Sequence, residues 1–286
     1  MRPMGDRHIL LDDCAFLEGP RWHDGALYLS DMHGPRVLRV EESGTVTTVV
    51  EHTSPVSGLG WLPDGQMIVV DMDGYVRRLD GDRLVMHADV RSLAPHGVND
   101  MISHPHGWSW VGQFGYDRHA GQAVEPSPLL RVDADGQVTL AAEDLLVANG
   151  MCLTPDGREL LVAESAGGRV TSFDVGHDGA LSHRTVFAEL PPRHAPDGMC
   201  LDAEGAVWVA AVTAGAFLRV RRGGEVTDRL EVEDGRHAIA CVLGGADRRT
   251  LFLLTAPTFG EAEASRATRG ARVETQPVDV PGAGRP

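Results

Sequence analysis

Two carboxylates and two carboxamides stand at matching places along this chain. They are Glu18, Asn99, Asn149 and Asp197, and each opens a short, mostly apolar stretch. With Ser57 and Ala240 they head six segments that can be laid over one another: EGPRWHDGALYLSD from 18, SGLGWLPDGQMIVVD from 57, NDMISHPHGWSWVGQ from 99, NGMCLTPDGRELLVAE from 149, DGMCLDAEGAVWVAA from 197 and ACVLGGADRRTLFLLTA from 240. Brought together, the two carboxylates would repel each other and lose hydration. A divalent cation removes both costs. An all-oxygen donor set of two acids and two amides suits a hard ion, with Ca2+ favoured over Mg2+ and Mn2+, and Zn2+ a further option. The alternative without a metal is a water-filled, hydrogen-bonded channel.

What must bring these residues together is the repeat itself. The opening residue and the turn glycine are eight positions apart in four copies: Ser57 to Gly65, Asn99 to Gly107, Asn149 to Gly157 and Asp197 to Gly205. The interval is seven in the first copy, Glu18 to Gly25, and in the sixth Arg248 replaces the glycine. Each pair of apolar runs is followed by a third strand, such as YVRRLD at 75–80 or FLRVRR at 217–222, and then a fourth, such as RLVMHAD or EVTDRLEV. Four strands per unit, six units and a period of roughly 40–50 residues predict an all-β, six-bladed propeller occupying 1–286 as one domain. The lone strand in HILLDDCAF, 8–16, is expected to supply the last blade's fourth strand and close the ring, with ARVETQPVDV, 271–280, as its third. The tail GAGRP is expected to fray.

Antiparallel strands within a blade put the entry to the innermost strand on the same face as the connection between strands two and three. All six opening residues therefore ring the axis at one end. Three residues before three of them stand His96, His194 and His237, as candidate acid/base or substrate groups on the rim or simply surface loop histidines. His104 and His106 fall in a turn on the opposite face and read as structural. Two of the connections on the site's face are long, 114–128 and 257–270. Long loops on a rigid scaffold carry specificity, which makes Phe114, Tyr116, Asp117 and Phe259 candidate substrate contacts. Trp22, Trp61 and Trp208 lie inside strands and read as core.

Composition removes several function classes. The net charge of −15 argues against nucleic acid or an anionic membrane as partner and leaves a small-molecule substrate. All 26 basic residues are arginine, which excludes Schiff-base chemistry on lysine and a Walker-type phosphate loop. No G-x-S-x-G elbow is present. Cys14, Cys152, Cys200 and Cys241 have no metal or redox spacing and read as core residues. The first residues lack the apolar run of a signal peptide and no segment is long enough to cross a membrane, so a cytoplasmic protein is expected. Oligomeric state is left open.

EGPRW at 18–22, ND at 99–100, NG at 149–150 and PDG at 196–198 together resemble the signatures of the regucalcin/gluconolactonase family, over roughly residues 8–280. The resemblance implies a six-bladed propeller with one catalytic divalent metal on the axis. It implies Glu18, Asn149 and Asp197 as metal ligands, Asn99 as a contact to substrate or metal-bound water, and Asp197 also as general base. Two departures stand out. Gly97 occupies the place of an arginine that helps sugar-lactone members hold a polyhydroxylated substrate, and Asp117 only approximates an acid in the third blade's loop.

The expected activity is metal-dependent hydrolysis of a lactone or related cyclic ester. The catalytic residue is Asp197, the metal ligands are Glu18, Asn149 and Asp197, and the substrate contacts are Asn99, His96, His194, Phe114, Tyr116 and Asp117. His194 is an alternative proton acceptor. A metal-dependent cyclase or isomerase on the same ligands, and a non-catalytic metal-binding propeller, are the rival readings.

Overall fold

In the computed structural model, which describes residues 7–118 and 120–283, six four-stranded antiparallel sheets form a six-bladed β-propeller. One helix, Ala262–Thr268, and one short 3-10 turn, Val212–Ala214, are the only helical elements among the described residues. Blades 1 to 5 each run in chain order from the axis outwards, with inner strands Leu17–His23, Val56–Trp61, Val98–Ser103, Ala148–Leu153 and Pro196–Leu201. Blade 6 is assembled from both ends of the chain: His237–Gly244, Thr250–Ala256 and Ala271–Pro277, with His8–Cys14 as its outermost strand. The expected ring closure is observed, and it pairs His8 with Thr275 and Cys14 with Ala271. Asp202 bridges to Gly282, and Ala283 donates to the Leu201 carbonyl. The start of the tail is thus tied back rather than frayed, and its last residues, 284–286, lie outside the described ones.

Each interface between neighbouring blades has its own apolar cluster. Val37, Val56, Leu59 and Val69 join blades 1 and 2, and Leu29, Phe252, Leu254 and Val273 join blades 6 and 1. Four further clusters fill the remaining four interfaces. The sequence supports this directly, because its inner and second strands are apolar on both faces, as strands sandwiched between sheets must be. Trp208 and all four cysteines are buried in these layers, the cysteines as free thiols. Trp22 and Trp61 are half-buried, stacked on Phe252 and His23. The tight turns use left-handed glycines, including Gly65, Gly157 and Gly205; Arg248 takes the same conformation at φ 58° in blade 6.

One local feature positions the site. In blades 1 to 5 the inner strand carries a β-bulge around its opening residue, between Glu18 and Arg21, Val56 and Leu59, Val98 and Met101, Ala148 and Met151, and Pro196 and Met199. A bulge re-aims a side chain and ends regular pairing, here at the mouth of the axis. In blade 6 the bulge falls between Ala238 and Ala240, and pairing is regular from Ala240 onward. A Cβ on Gly198 would meet Ala240, as one on Gly150 would meet Gly198. Ala240 therefore stands level with the glycines of the other blades, and the expected opening residue is one place too late: Ile239 holds that level.

The glycine after the opening residue follows from ring closure. A Cβ on Gly150 would lie 2.4 Å from the Asp197 carbonyl oxygen, and one on Gly198 would lie 2.3 Å from the Ala240 Cβ. The inner strands approach too closely for any side chain there. Gly150→Ala is expected to cost about 1–3 kcal/mol, read as a lower urea midpoint, because backbone rather than a flexible side chain must move. An unchanged midpoint would show that the ring has slack at its centre.

Candidate active site

The bulges bring Glu18, Ser57, Asn99 and Asp197 to the axis in buried positions, with Asn149 half-buried beside them. Glu18 is held by one hydrogen bond from the Gly19 amide, 3.1 Å. Asn149 Nδ2 donates to Ser165 Oγ at 3.2 Å, and that hydroxyl donates to the Pro196 carbonyl at 2.6 Å. This relay commits the amide nitrogen and leaves the Oδ1 end for another partner. Asn149 also borders the Asp197 carboxyl and favours its charged form. Asp197 Oδ1 and Ser57 Oγ are buried with no hydrogen-bond partner. Orphaned buried oxygens cost free energy unless something satisfies them.

Beneath these residues runs an ion pair that sequence reasoning missed. Arg21 leaves the inner strand of blade 1 and crosses the channel. Its Nε donates to Leu59 O of blade 2 at 3.1 Å, and its Nη2 meets Asp100 Oδ1 of blade 3 at 2.9 Å and also the Met101 carbonyl. Both partners are almost fully buried. Asp100 stands where neighbouring blades have glycine, and its carboxylate fills the space over Gly58. The only signal was that Arg21 and Asp100 lie inside the EGPRW and ND motifs.

The electrostatics follow. Burial raises the Glu18 pKa well above the carboxylate range, with the charges of Asp197 and Asp100 adding to it. Asp197 is pushed up to about 8, first by burial and then by Asp100. Asp100 is raised by burial, with Arg21 opposing. Three carboxylates around one guanidinium leave a formal charge of −2 in a dry channel when all are ionised. Asp197 Oδ1 without a partner, the Asn149 Oδ1 end and the Glu18 carboxylate form an all-oxygen donor set whose charge a hard divalent cation would neutralise. The residues fit such an ion. Among the described residues no three His, Cys, Asp or Glu side chains cluster as a metal site, so the fit depends on the amide as well as the acids.

The rim residues separate. The end of each second strand pairs beside an opening residue, as in Leu17 with Asp31 and Val98 with Gln113, so the long loops border the site. Phe114 follows Gln113 and is buried, and Tyr116 is half-buried. Asp117 caps its own loop, accepting from the Ala120 amide at 3.0 Å. His96 is exposed. His194 turns to the blade edge: Nδ1 bonds to Pro192 O at 3.1 Å and Nε2 faces Arg229 at 3.5 Å, an arrangement that makes Nδ1 the donor. His237 packs near Phe259, ring centroids 5.9 Å apart. His104 is buried on the far face, stacked on Trp108 at 4.5 Å. Gly97 sits at φ 87°, and a Cβ there would meet Met72 O at 2.8 Å, so this backbone does not admit an arginine.

A second overlooked group consists of the acids ending second strands. Asp31 accepts the Ala15 and Phe16 amides and pairs with Arg36, and Glu164 accepts the Leu146 amide and pairs with Arg169. Asp71 pairs with Arg77 and His52. These contacts tie the incoming linker to the blade and hold the rim. The repeated SD, VD and AE at the ends of second strands could have revealed them.

Two outcomes are expected. Arg21→Met should cost about 3–5 kcal/mol by stranding the Asp100 charge, and adding Asp100→Leu should recover most of that loss in urea unfolding. A double variant no better than the single would place the cost elsewhere. Secondly, an acid whose folded pKa lies above its ordinary value of 3.8 contributes stability that is lost as pH rises through the folded value, here about 8. His33 and His87 titrate below their ordinary 6.5 and so act under pH 7. In chelator the melting temperature should fall from about pH 7 to 8.5, and Asp197→Asn should flatten that slope. A rising profile, or an equal slope in the variant, would contradict it.

Residues 16–257 match the SMP-30/Gluconolactonase/LRE-like region. A pentonolactonase from Haloferax volcanii is 30% identical over 282 residues, covering 96% of this chain and 94% of that protein. A 6-deoxy-6-sulfogluconolactonase from Pseudomonas putida is 28% identical over 279 residues, covering 94% and 93%. The solved structure of a calcium-binding protein, regucalcin, from Agrobacterium tumefaciens superposes with a TM-score of 0.81 at 24% identity, covering 99% of this chain and 97% of that one. With the family region spanning most of the chain and these relatives matching nearly end to end, the protein belongs to the SMP-30/gluconolactonase/LRE-like family.

Proposed function

We propose that the protein hydrolyses a sugar lactone or related cyclic ester at the axial site, with one divalent cation, Ca2+ favoured, held by Glu18, Asn149 and Asp197. The observation that carries this reading is the pair of buried carboxylates, Glu18 and Asp197, converging with an orphaned Asp197 Oδ1 at the mouth. Membership of a family whose relatives include named lactonases supports the choice of reaction. A cation bound there supplies Lewis acidity to the ester carbonyl and to a water.

The chain's own residues do the rest. Asp197 takes a proton from the attacking water. Water oxygen adds to the lactone carbonyl carbon, the ring C–O bond breaks, and the departing oxygen recovers the proton, giving the open hydroxy acid. Asn99 is placed to orient the substrate or donate to the developing oxyanion. Among the described residues the Gly19 amide is the one hydrogen-bond donor to Glu18, and the role assigned to this carboxylate is charge and ligation. Arg21 and Asp100 hold the floor. Phe114 and Tyr116 supply the wall, with His96, Asp117 and His194 further out.

Metal analysis of the purified protein, then turnover of a lactone panel with and without chelator, tests the reading. Asp197→Ala should lower kcat by at least about 100-fold and weaken cation binding. Full activity in that variant, or turnover indifferent to chelator, would overturn it.

A further inference from the structure

Outside the Glu18–Asp197 centre, connections of three blades on the site's face carry a histidine and two arginines. His33 comes from the turn after the second strand of blade 1. Arg118 comes from the long loop of blade 3, and Arg266 from the helix Ala262–Thr268 in the long connection of blade 6. His33 is 7% exposed, and its Nδ1 is buried without a hydrogen-bond partner. Its ring packs on Phe16 at 4.9 Å, two residues before Glu18, and Phe16 packs on Phe259 at 6.3 Å. Burial, then the nearby charges of Arg266 and Arg118, hold the His33 pKa down at about 4, with Asp31 opposing. The imidazole is therefore neutral, and both guanidiniums lie within electrostatic reach of it.

Among the described residues neither guanidinium makes an ion pair. Arg118 lies over the Phe114 ring at 3.7 Å, on the wall beside Asn99. Arg266 projects from an exposed helix position. On the same rim Arg36, Arg77 and Arg169 are each paired with a carboxylate. In a chain of net charge −15, two such cations within electrostatic reach of one buried, unpartnered imidazole nitrogen are a combination suited to an anion. Guanidiniums bind oxyanions through paired, charge-assisted hydrogen bonds, and a neutral imidazole adds a third donor through Nδ1–H. Gly97, just ahead of the inner strand, offers no cation, whereas these loops carry two.

We propose that the preferred substrate carries an anionic substituent, a carboxylate, sulfonate or phosphate remote from the lactone carbonyl, which Arg118, Arg266 and His33 hold over the mouth. This rests on the lactonase reading for the reaction, though not for the binding. The test compares kcat/KM for glucono-γ-lactone with that for its carboxylate analogue, glucaro-γ-lactone, and for a phosphorylated gluconolactone. The wild-type protein should favour at least one anionic lactone by about 10- to 100-fold, and the arm that wins identifies the anion. In Arg118→Gln/Arg266→Gln that ratio should fall to about 1, with Arg118→Lys/Arg266→Lys keeping part of it. A wild-type ratio near 1, or a ratio unchanged in the Gln variant, overturns the proposal. If no lactone is turned over, the lactonase reading fails by itself. Calorimetry with the open-chain acids then decides the anion site: glucarate binding about 10-fold tighter than gluconate, and only with both arginines present, upholds it, while equal affinities overturn it.

Discussion

The structure depends on a charge imbalance at its centre. Glu18, Asp100 and Asp197 are all buried near the axis, and among the described residues Arg21 is the one guanidinium set against them, acting on Glu18 and Asp100. Stability would be served as well or better by apolar side chains of similar volume. The ring must therefore be strong enough to carry the imbalance, and the six interblade clusters, closed by the N-terminal strand, provide that strength. Arg21 does more than neutralise one acid. Its contacts to Leu59, Asp100 and Met101 pin blade 1 to blades 2 and 3 at the axis. One guanidinium is both a strut and a partial counter-charge. What it leaves unneutralised is the charge that the proposed cation would balance.

Backbone geometry turns that imbalance into a directed site. The bulge at each opening residue rotates the side chain out of the interblade layer and into the mouth, while the following glycine lets the next inner strand close up. Blade 3 breaks the glycine rule with Asp100, and the break is tolerated because Arg21 reaches that carboxylate from two blades away. Blade 6 brings Ile239 rather than a polar residue to the opening level, so the proposed donor set is lopsided, weighted towards Glu18, Asn149 and Asp197. The symmetric scaffold thus presents an asymmetric centre, which a reaction with a distinct nucleophile side and leaving-group side requires.

Most of the fold was legible in the sequence because its determinants are local and repeated. Turn glycines such as Gly65, Gly157 and Gly205 and the apolar pairs before and after them recur at fixed intervals, so blade number, strand count and ring closure followed. Where a determinant is not local, the reading slipped. Counting back from the Arg248 turn placed Ala240 at the opening position, but the bulge, set by pairing with the neighbouring strand, lies around Ile239, one residue further from that turn. The spacing that put His194 on the rim says nothing of Arg229 on the outermost strand, which faces its ring. Arg21 and Asp100 were visible as motif letters, yet their pairing spans 79 residues and no periodicity encodes it. Arg118 and Arg266 lie in long connections without repeat register, and His33 stands in a recurring turn where blade 2 has Asp73.

That division between what repeats and what does not corresponds to a division of labour. The axial residues sit on inner strands that are over-determined by two neighbours each, so their geometry cannot drift without opening the ring. The mouth is built from a four-residue turn, a long loop and a seven-residue helix, none of which bears on blade packing in the same way. Gly97 illustrates the consequence. Its left-handed backbone, closed against Met72 O, removes the option of a cation just ahead of the inner strand. Any charge selectivity must then come from the loops, where Arg118 and Arg266 stand, among the described residues, without carboxylate partners. On the reading advanced above, a change of substrate in this scaffold therefore requires rebuilding the mouth alone, leaving the buried carboxylates and the ring that holds them in place.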